Sequence, residues 1–118
     1  MQESIKTKKT TVKEWAKNNL VGNRYSSAIG MVSVTLAGIK ETINQPHRCQ
    51  IEKLEAIYTI EKLLAEAEFV IAAPDNRGRA LIWHYLKITI AENNSYIVIR
   101  EDIKLEIKLL YSIVDSIK

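Results

Sequence analysis

The chain has two histidines, His47 and His84, and no other side-chain type exchanges protons as readily near neutral pH. His47 sits in "TINQPHRCQIEK", behind a proline, with the only cysteine, Cys49, close after it. His84 sits in "ALIWHYLKITI" between Trp83 and Tyr85. Arg100 and Ser112 are further polar groups inside otherwise apolar stretches, "YIVIR" and "IKLLYSIV", while Arg77 and Arg79 lie in "PDNRGR". Such an inventory suits cleavage of RNA by its own 2′-hydroxyl. A base takes the 2′ proton, an acid protonates the leaving 5′ oxygen, and cations stabilise the crowded phosphate. In that chemistry His47 and His84 are the acid and base, Arg100 holds the phosphate, and Ser112 hydrogen-bonds phosphate or ribose. Arg77, Arg79, Trp83 and Tyr85 are then contacts to backbone and bases, since stacking plus charge is how unpaired RNA is gripped.

Each of these residues also has a plain structural reading. His84 fits an edge-of-core histidine with a hydrogen-bond partner, and His47 a polar residue at the start of a helix. Arg100 can be a solvated strand end and Ser112 a satisfied strand hydroxyl. Trp83 and Tyr85 can simply cover the sheet, and Arg77 and Arg79 can be solubilising loop charges. Cys49 reads as a small, partly buried thiol, because a nucleophile needs a base beside it.

Other chemistries have no sequence support. A single cysteine excludes an internal disulfide and a cysteine-based zinc cage, and the histidines have no Asp or Glu cluster beside them, so no metal site is expected. "GNRYSSAIG" lacks the lysine and the strand–helix context of a phosphate loop, and no nucleophile elbow or cofactor motif is present. A net charge of +3 with pI near 9.0 permits an anionic partner without requiring one.

The elements that must position these groups follow from periodicity. A length of 118 residues suits one domain, 1–118, and the 47% apolar and 26% charged fractions suit a folded globule rather than a disordered chain. Residues 1–10 read as a flexible polar leader, without the apolar stretch of a signal peptide, and no apolar run is long enough to span a membrane. A cytoplasmic location is therefore expected. Thr11 and Glu14 have capping-box spacing ahead of the stripe Val12, Trp15 and Ala16, which predicts a short helix. "VGNRYSSAIG" predicts a turn or short hairpin, "MVSVTL" a short strand, and "LAGIKETINQ" a helix that Pro46 ends. A longer helix is expected over 47–66, with Ile51, Leu54, Ile57, Ile60 and Leu64 on one face and Glu and Lys on the other.

Beyond that helix the period shifts to two. "FVIAA", "ALIWHYLKITI", "YIVIR" and "IKLLYSIV" read as four strands joined by turns at "PDNRGR", "AENNS" and "EDIKLE". Alternation puts Ile82, His84, Leu86, Ile88 and Ile90 on one face and Trp83, Tyr85 and Lys87 on the other. The expected fold is α+β, with N-terminal helices packed on one face of a four-stranded antiparallel sheet.

"VSVTLAGIKETINQPH", the helix end "LLAEAEFV" and "WHYLKITI…YIVIR…LLYSIVDSI" resemble the barnase–EndoU–colicin–RelE group of toxin domains. The likeness is nearest to those at the ends of phage head-morphogenesis and large polyvalent proteins. It covers about residues 12–117 and implies helices before a four-stranded antiparallel sheet, a BECR-like ribonuclease fold. It further implies a metal-independent toxin ribonuclease directed at structured RNA, with tRNA the expected substrate and an immunity protein the expected partner. The stretches "PH", "HY" and "LYSI" point to His47, His84, Tyr111 and Ser112. The alternative is a non-catalytic module of the same fold that binds protein or RNA, as a phage structural or immunity component.

Overall fold

The computed structural model describes residues 4–117. Its chain order is α1 (Ile5–Asn19), β1 (Gly22–Ser26), β2 (Gly30–Val34), α2 (Leu36–Asn44), α3 (Gln50–Ile57), α4 (Ile60–Glu66), β3 (Glu68–Pro74), β4 (Leu81–Ile90), β5 (Asn93–Asp102) and β6 (Ile107–Val114). The last four strands form the antiparallel run that the period-two pattern predicts, in the order β3, β4, β5, β6. The sheet does not stop there. The hairpin of β1 and β2 joins β6 through a parallel contact at Ser33 and Leu109. The fold is α+β, but its sheet is mixed and six-stranded, which corrects the expected four antiparallel strands. β1 and β2 are short and half exposed, so their periodicity is weak, and the parallel pairing depends on residues far apart in sequence.

Two helices also differ from expectation. α1 begins at Ile5, with the Ser4 hydroxyl accepting from the Thr7 N–H, so the described part of the 1–10 segment is largely helical and residues 1–3 lie outside the description. The single helix expected over 47–66 is two, broken at Tyr58 and Thr59. An unbroken helix would put Glu61 at i+7 from Leu54, on the buried face. The break leaves Glu61 exposed, where it pairs with Arg24 Nε at 3.5 Å.

All four helices contribute to one apolar core against one face of the sheet. Val12 and Ala16 of α1, Ile39 of α2, Leu54 and Ile57 of α3 and Leu64 of α4 meet Leu86, Ile97, Ile99 and Ile113 of the sheet. Each fully buried aliphatic contributes about 1.5–3 kcal/mol. α2 lies directly on β6: a Cβ added at Gly38 would stand 2.1 Å from the Leu110 carbonyl oxygen, so only glycine allows this approach. β4 and β5 are joined by Ala91 and Glu92, both with positive φ (49° and 64°), which makes a tight turn of two residues instead of a longer loop. No helix among the described residues is long and apolar enough to cross a membrane.

Candidate functional site

The sheet face turned away from the core carries an open cleft of roughly 710 Å³. Residues of alternating parity from β4 and β5 form its floor: Trp83 and Tyr85, then Val98 and Arg100, with Trp83 directly opposite Arg100 in the ladder. β6 adds Tyr111 and Ser112, neighbours that simple alternation would send to opposite faces. A bulge resolves this: Val98 pairs with Ser112 and Ile99 with Leu110, which leaves Tyr111 as the extra residue and lets both side chains line the cleft. The Tyr111 ring meets Trp83 edge-on at 4.9 Å and lies 6.0 Å from the Arg100 guanidinium. Arg100 Nε is buried and has no acceptor among the described residues, and Ser112, opposite Val98, is almost fully buried. A buried N–H in that state costs about 1–3 kcal/mol.

One wall of the cleft is the loop 75–79, and its organiser is Asp75. Oδ2 of Asp75 accepts from the backbone N–H of Arg77 and Arg79 and from Arg79 Nε, at 3.0–3.2 Å. Oδ1 accepts from Arg79 Nη2 at 2.9 Å and from the Trp83 indole N–H at 3.0 Å. The Arg79 guanidinium chiefly holds the Asp75 carboxyl well below the usual carboxylate range, with the Trp83 indole adding to the effect, so the network persists into acid. The same pair raises Arg79 above its ordinary value. Arg79 and Trp83 are thus fixed in orientation, whereas Arg77 is exposed with its backbone alone tied to Asp75. The sequence signal for Asp75 was an Asp followed by Asn-Arg-Gly, the pattern of a side chain bonding its own turn.

Of the residues singled out from sequence, Arg77, Arg79, Trp83, Tyr85, Arg100, Tyr111 and Ser112 come together in the cleft, and the two histidines do not. His47 lies ahead of α3 in the segment after Pro46, 8% exposed. Its Nδ1 accepts the Cys49 backbone N–H at 2.8 Å, which assigns the proton to Nε2, and Nε2 donates to Ser95 Oγ at 2.9 Å. Both nitrogens are satisfied in the neutral ring, and burial lowers its pKa from 6.5. His84 points to the core side of β4, where Nε2 meets Glu101 Oε1 at 2.7 Å and the ring stands edge-on to Phe69 at 6.3 Å. His84 pairs with Ile99 and Ser95 with Ile88, so the two histidines contact the sheet about 13 Å apart along the strands. An acid–base pair of His47 and His84 is not assembled in this arrangement.

Two further charged residues shape the surroundings. Asp115 lines the cleft beside Pro46; the Arg48 backbone N–H bonds its Oδ2 at 2.8 Å and lowers its pKa, and Arg48 Nε lies 3.5 Å away. Lys53 is fully buried beneath the end of α2. Its ammonium donates to the carbonyls of Thr42 (2.6 Å), Ile43 (3.4 Å) and Gln45, capping the helix. Burial pushes it down to about 8. Lys53, Ile57, Ile60 and Leu64 share one helical stripe, the signal that would have placed this lysine inside.

Fold and cleft together define an α+β domain whose helices cover one sheet face and leave an arginine–aromatic surface on the other. Residues 3–106 match the family described as large polyvalent protein-associated domain 3, and the chain belongs to that family. The match ends just before β6, the strand that supplies Tyr111 and Ser112. No curated protein and no solved structure matches the chain.

Proposed function

We propose that the open sheet face grips RNA. Unpaired bases stack on Trp83, Tyr85 and Tyr111, and backbone phosphates meet Arg100 and Arg77. The supporting observation is Arg100: a guanidinium partly buried in the cleft floor, with one N–H unmatched, between rings that offer faces and edges to a base. Asp75 is a positioning residue that presents Arg79 and Trp83 to the same ligand.

A second reading goes further, to metal-independent cleavage by 2′-hydroxyl attack, with tRNA as substrate. It is favoured by the bulge that lets Tyr111 and Ser112 both line the cleft with Arg100, and by the resemblance to the barnase–EndoU–colicin–RelE group. There Arg100 would neutralise the phosphate while Tyr111 and Ser112 orient the ribose, and an immunity protein would act by filling the cleft. His47 and His84 would each have to leave a satisfied hydrogen bond to take part.

Purified domain incubated with total tRNA in EDTA, read on a denaturing gel alongside a binding titration, separates the two. Discrete products ending in 2′,3′-cyclic phosphate, lost in Arg100→Ala and Tyr111→Phe, establish cleavage. Saturable binding to intact tRNA, weakened by Trp83→Ala and Arg100→Ala, establishes the gripping surface alone. No binding and no products would refute both.

A further inference from the structure

The C-terminal end of α2 separates two cavities. Gln45 and Pro46, just past its last turn, line the cleft on the open sheet face. Ile43 and Asn44 line a notch of about 160 Å³, whose other walls are Lys9, Thr10 and Lys13 of α1 and Lys40 of α2. Successive residues of one short segment therefore face both cavities.

Three lysines line this notch, and no carboxylate does. Among the described residues none of the three forms an ion pair. Lys9 and Lys13, a turn apart on α1, are half-buried, and Lys40 is exposed. The negative carbonyl end of α2 would ordinarily offset them. Here the buried Lys53 ammonium takes those carbonyls, so the helix end presents little negative potential to the notch. Lys9 is near enough to Lys53 to lower its pKa further, while Asp115 acts in the opposite direction. An external anion would give the three lining lysines a partner.

We propose that the lysine notch between α1 and α2 binds the phosphate backbone of the same RNA whose unpaired bases occupy the open sheet face. The proposal rests on the RNA-gripping reading and extends its footprint around the end of α2. The chemistry favours backbone over base. Lysines are point charges without the planar fork that reads base edges, and three of them on two rigid helices suit a run of phosphates in any sequence. A helical flank of the bound RNA is the natural occupant.

The test compares the wild-type domain with the triple variant Lys9→Gln, Lys13→Gln, Lys40→Gln against a pentanucleotide and a hairpin RNA of about 25 nucleotides. A control triple variant, Lys17→Gln, Lys62→Gln, Lys104→Gln, removes the same charge from exposed positions elsewhere. Pentanucleotide binding is expected to be unchanged in the notch variant, because that ligand needs the cleft alone. Hairpin affinity should fall by roughly tenfold or more near 0.1 M salt, and the slope of log affinity against log salt should fall by about 2, both beyond the control. An unchanged hairpin slope, or an equal loss in the control, overturns the notch while leaving the cleft intact. A wild-type domain that binds neither RNA overturns the cleft reading and the notch with it. Thermal unfolding of the notch variant at the wild-type temperature would confirm that lost binding is not lost folding.

Discussion

The two faces of the sheet treat their polar groups differently. On the helix-covered face Lys53 has carbonyl acceptors, His47 has a partner on each ring nitrogen, and His84 is held by Glu101. On the open face Arg100 keeps a buried N–H without an acceptor, between rings that contact one another only edge-on. Polar groups in the first set stabilise the fold; under the proposed function those in the second meet an RNA ligand. The contrast is incomplete in two places, since His84 Nδ1 and Arg24 Nε are also buried without a hydrogen-bond partner among the described residues, although Glu61 lies 3.5 Å from Arg24 Nε. It nonetheless predicts which substitutions cost stability and which cost binding.

The largest stability effect is expected on the covered face. Lys53→Ala leaves the α2 carbonyls without their cap and opens a cavity, and should cost about 3–5 kcal/mol in urea unfolding. Arg100→Ala, removing a charged group of similar size from the open face, should change stability by less than about 1 kcal/mol. The same measurement on both variants sharpens the comparison, and equal costs would break it.

The next effect runs the other way. Arg100→Ala and Trp83→Ala should each weaken RNA binding by roughly tenfold to a hundredfold, whereas His47→Gln should leave it within about twofold. Fluorescence titration with a labelled oligonucleotide reads all three.

A smaller effect concerns pH. His47 has a folded pKa below the 6.5 of the unfolded chain, so on acidification the unfolded chain binds its proton first. Its contribution to stability is full above pH 6.5 and is lost as pH falls through the lowered folded value. His47→Gln should flatten that part of the stability profile, by about 1 kcal/mol or less between pH 7 and 5. Unfolding curves at both pH values check it.

The smallest is at the β4–β5 turn. Ala91 and Glu92 hold positive φ that Asn and Gly adopt more readily, so Ala91→Asn with Glu92→Gly should stabilise the domain by about 1 kcal/mol. RNA affinity should not change, because the turn is remote from the cleft lining.

Much of the open face was legible in the sequence. Period-two alternation in β4 separated Trp83 and Tyr85 from His84, and the turn around Arg77 and Arg79 was evident from its Gly and Asn. What alternation could not carry was the bulge at Tyr111, since an extra residue shifts the parity of everything beyond it. The β1 segment read as a turn or short hairpin and β2 as a separate short strand, so neither their pairing nor the attachment to β6 was legible, because one parallel contact between distant segments has no local signature. Lys53 was assigned to the polar face by its type, against its position in the stripe of Ile57, Ile60 and Leu64. His47 drew attention for its chemistry, and its place before a helix did not reveal that Ser95 and Cys49 would satisfy it.

The two tryptophans allow the contrast between faces to be tested in one spectrum. Trp15 packs edge-on against Tyr58 in the helical layer at 4.9 Å, while Trp83 stands in the cleft with its indole N–H on Asp75. Titrating the domain with a pentanucleotide and following both indole N–H resonances should shift Trp83 in a saturable way and leave Trp15 in place. A shift of Trp15 alone, or of neither, would contradict RNA binding on the open face.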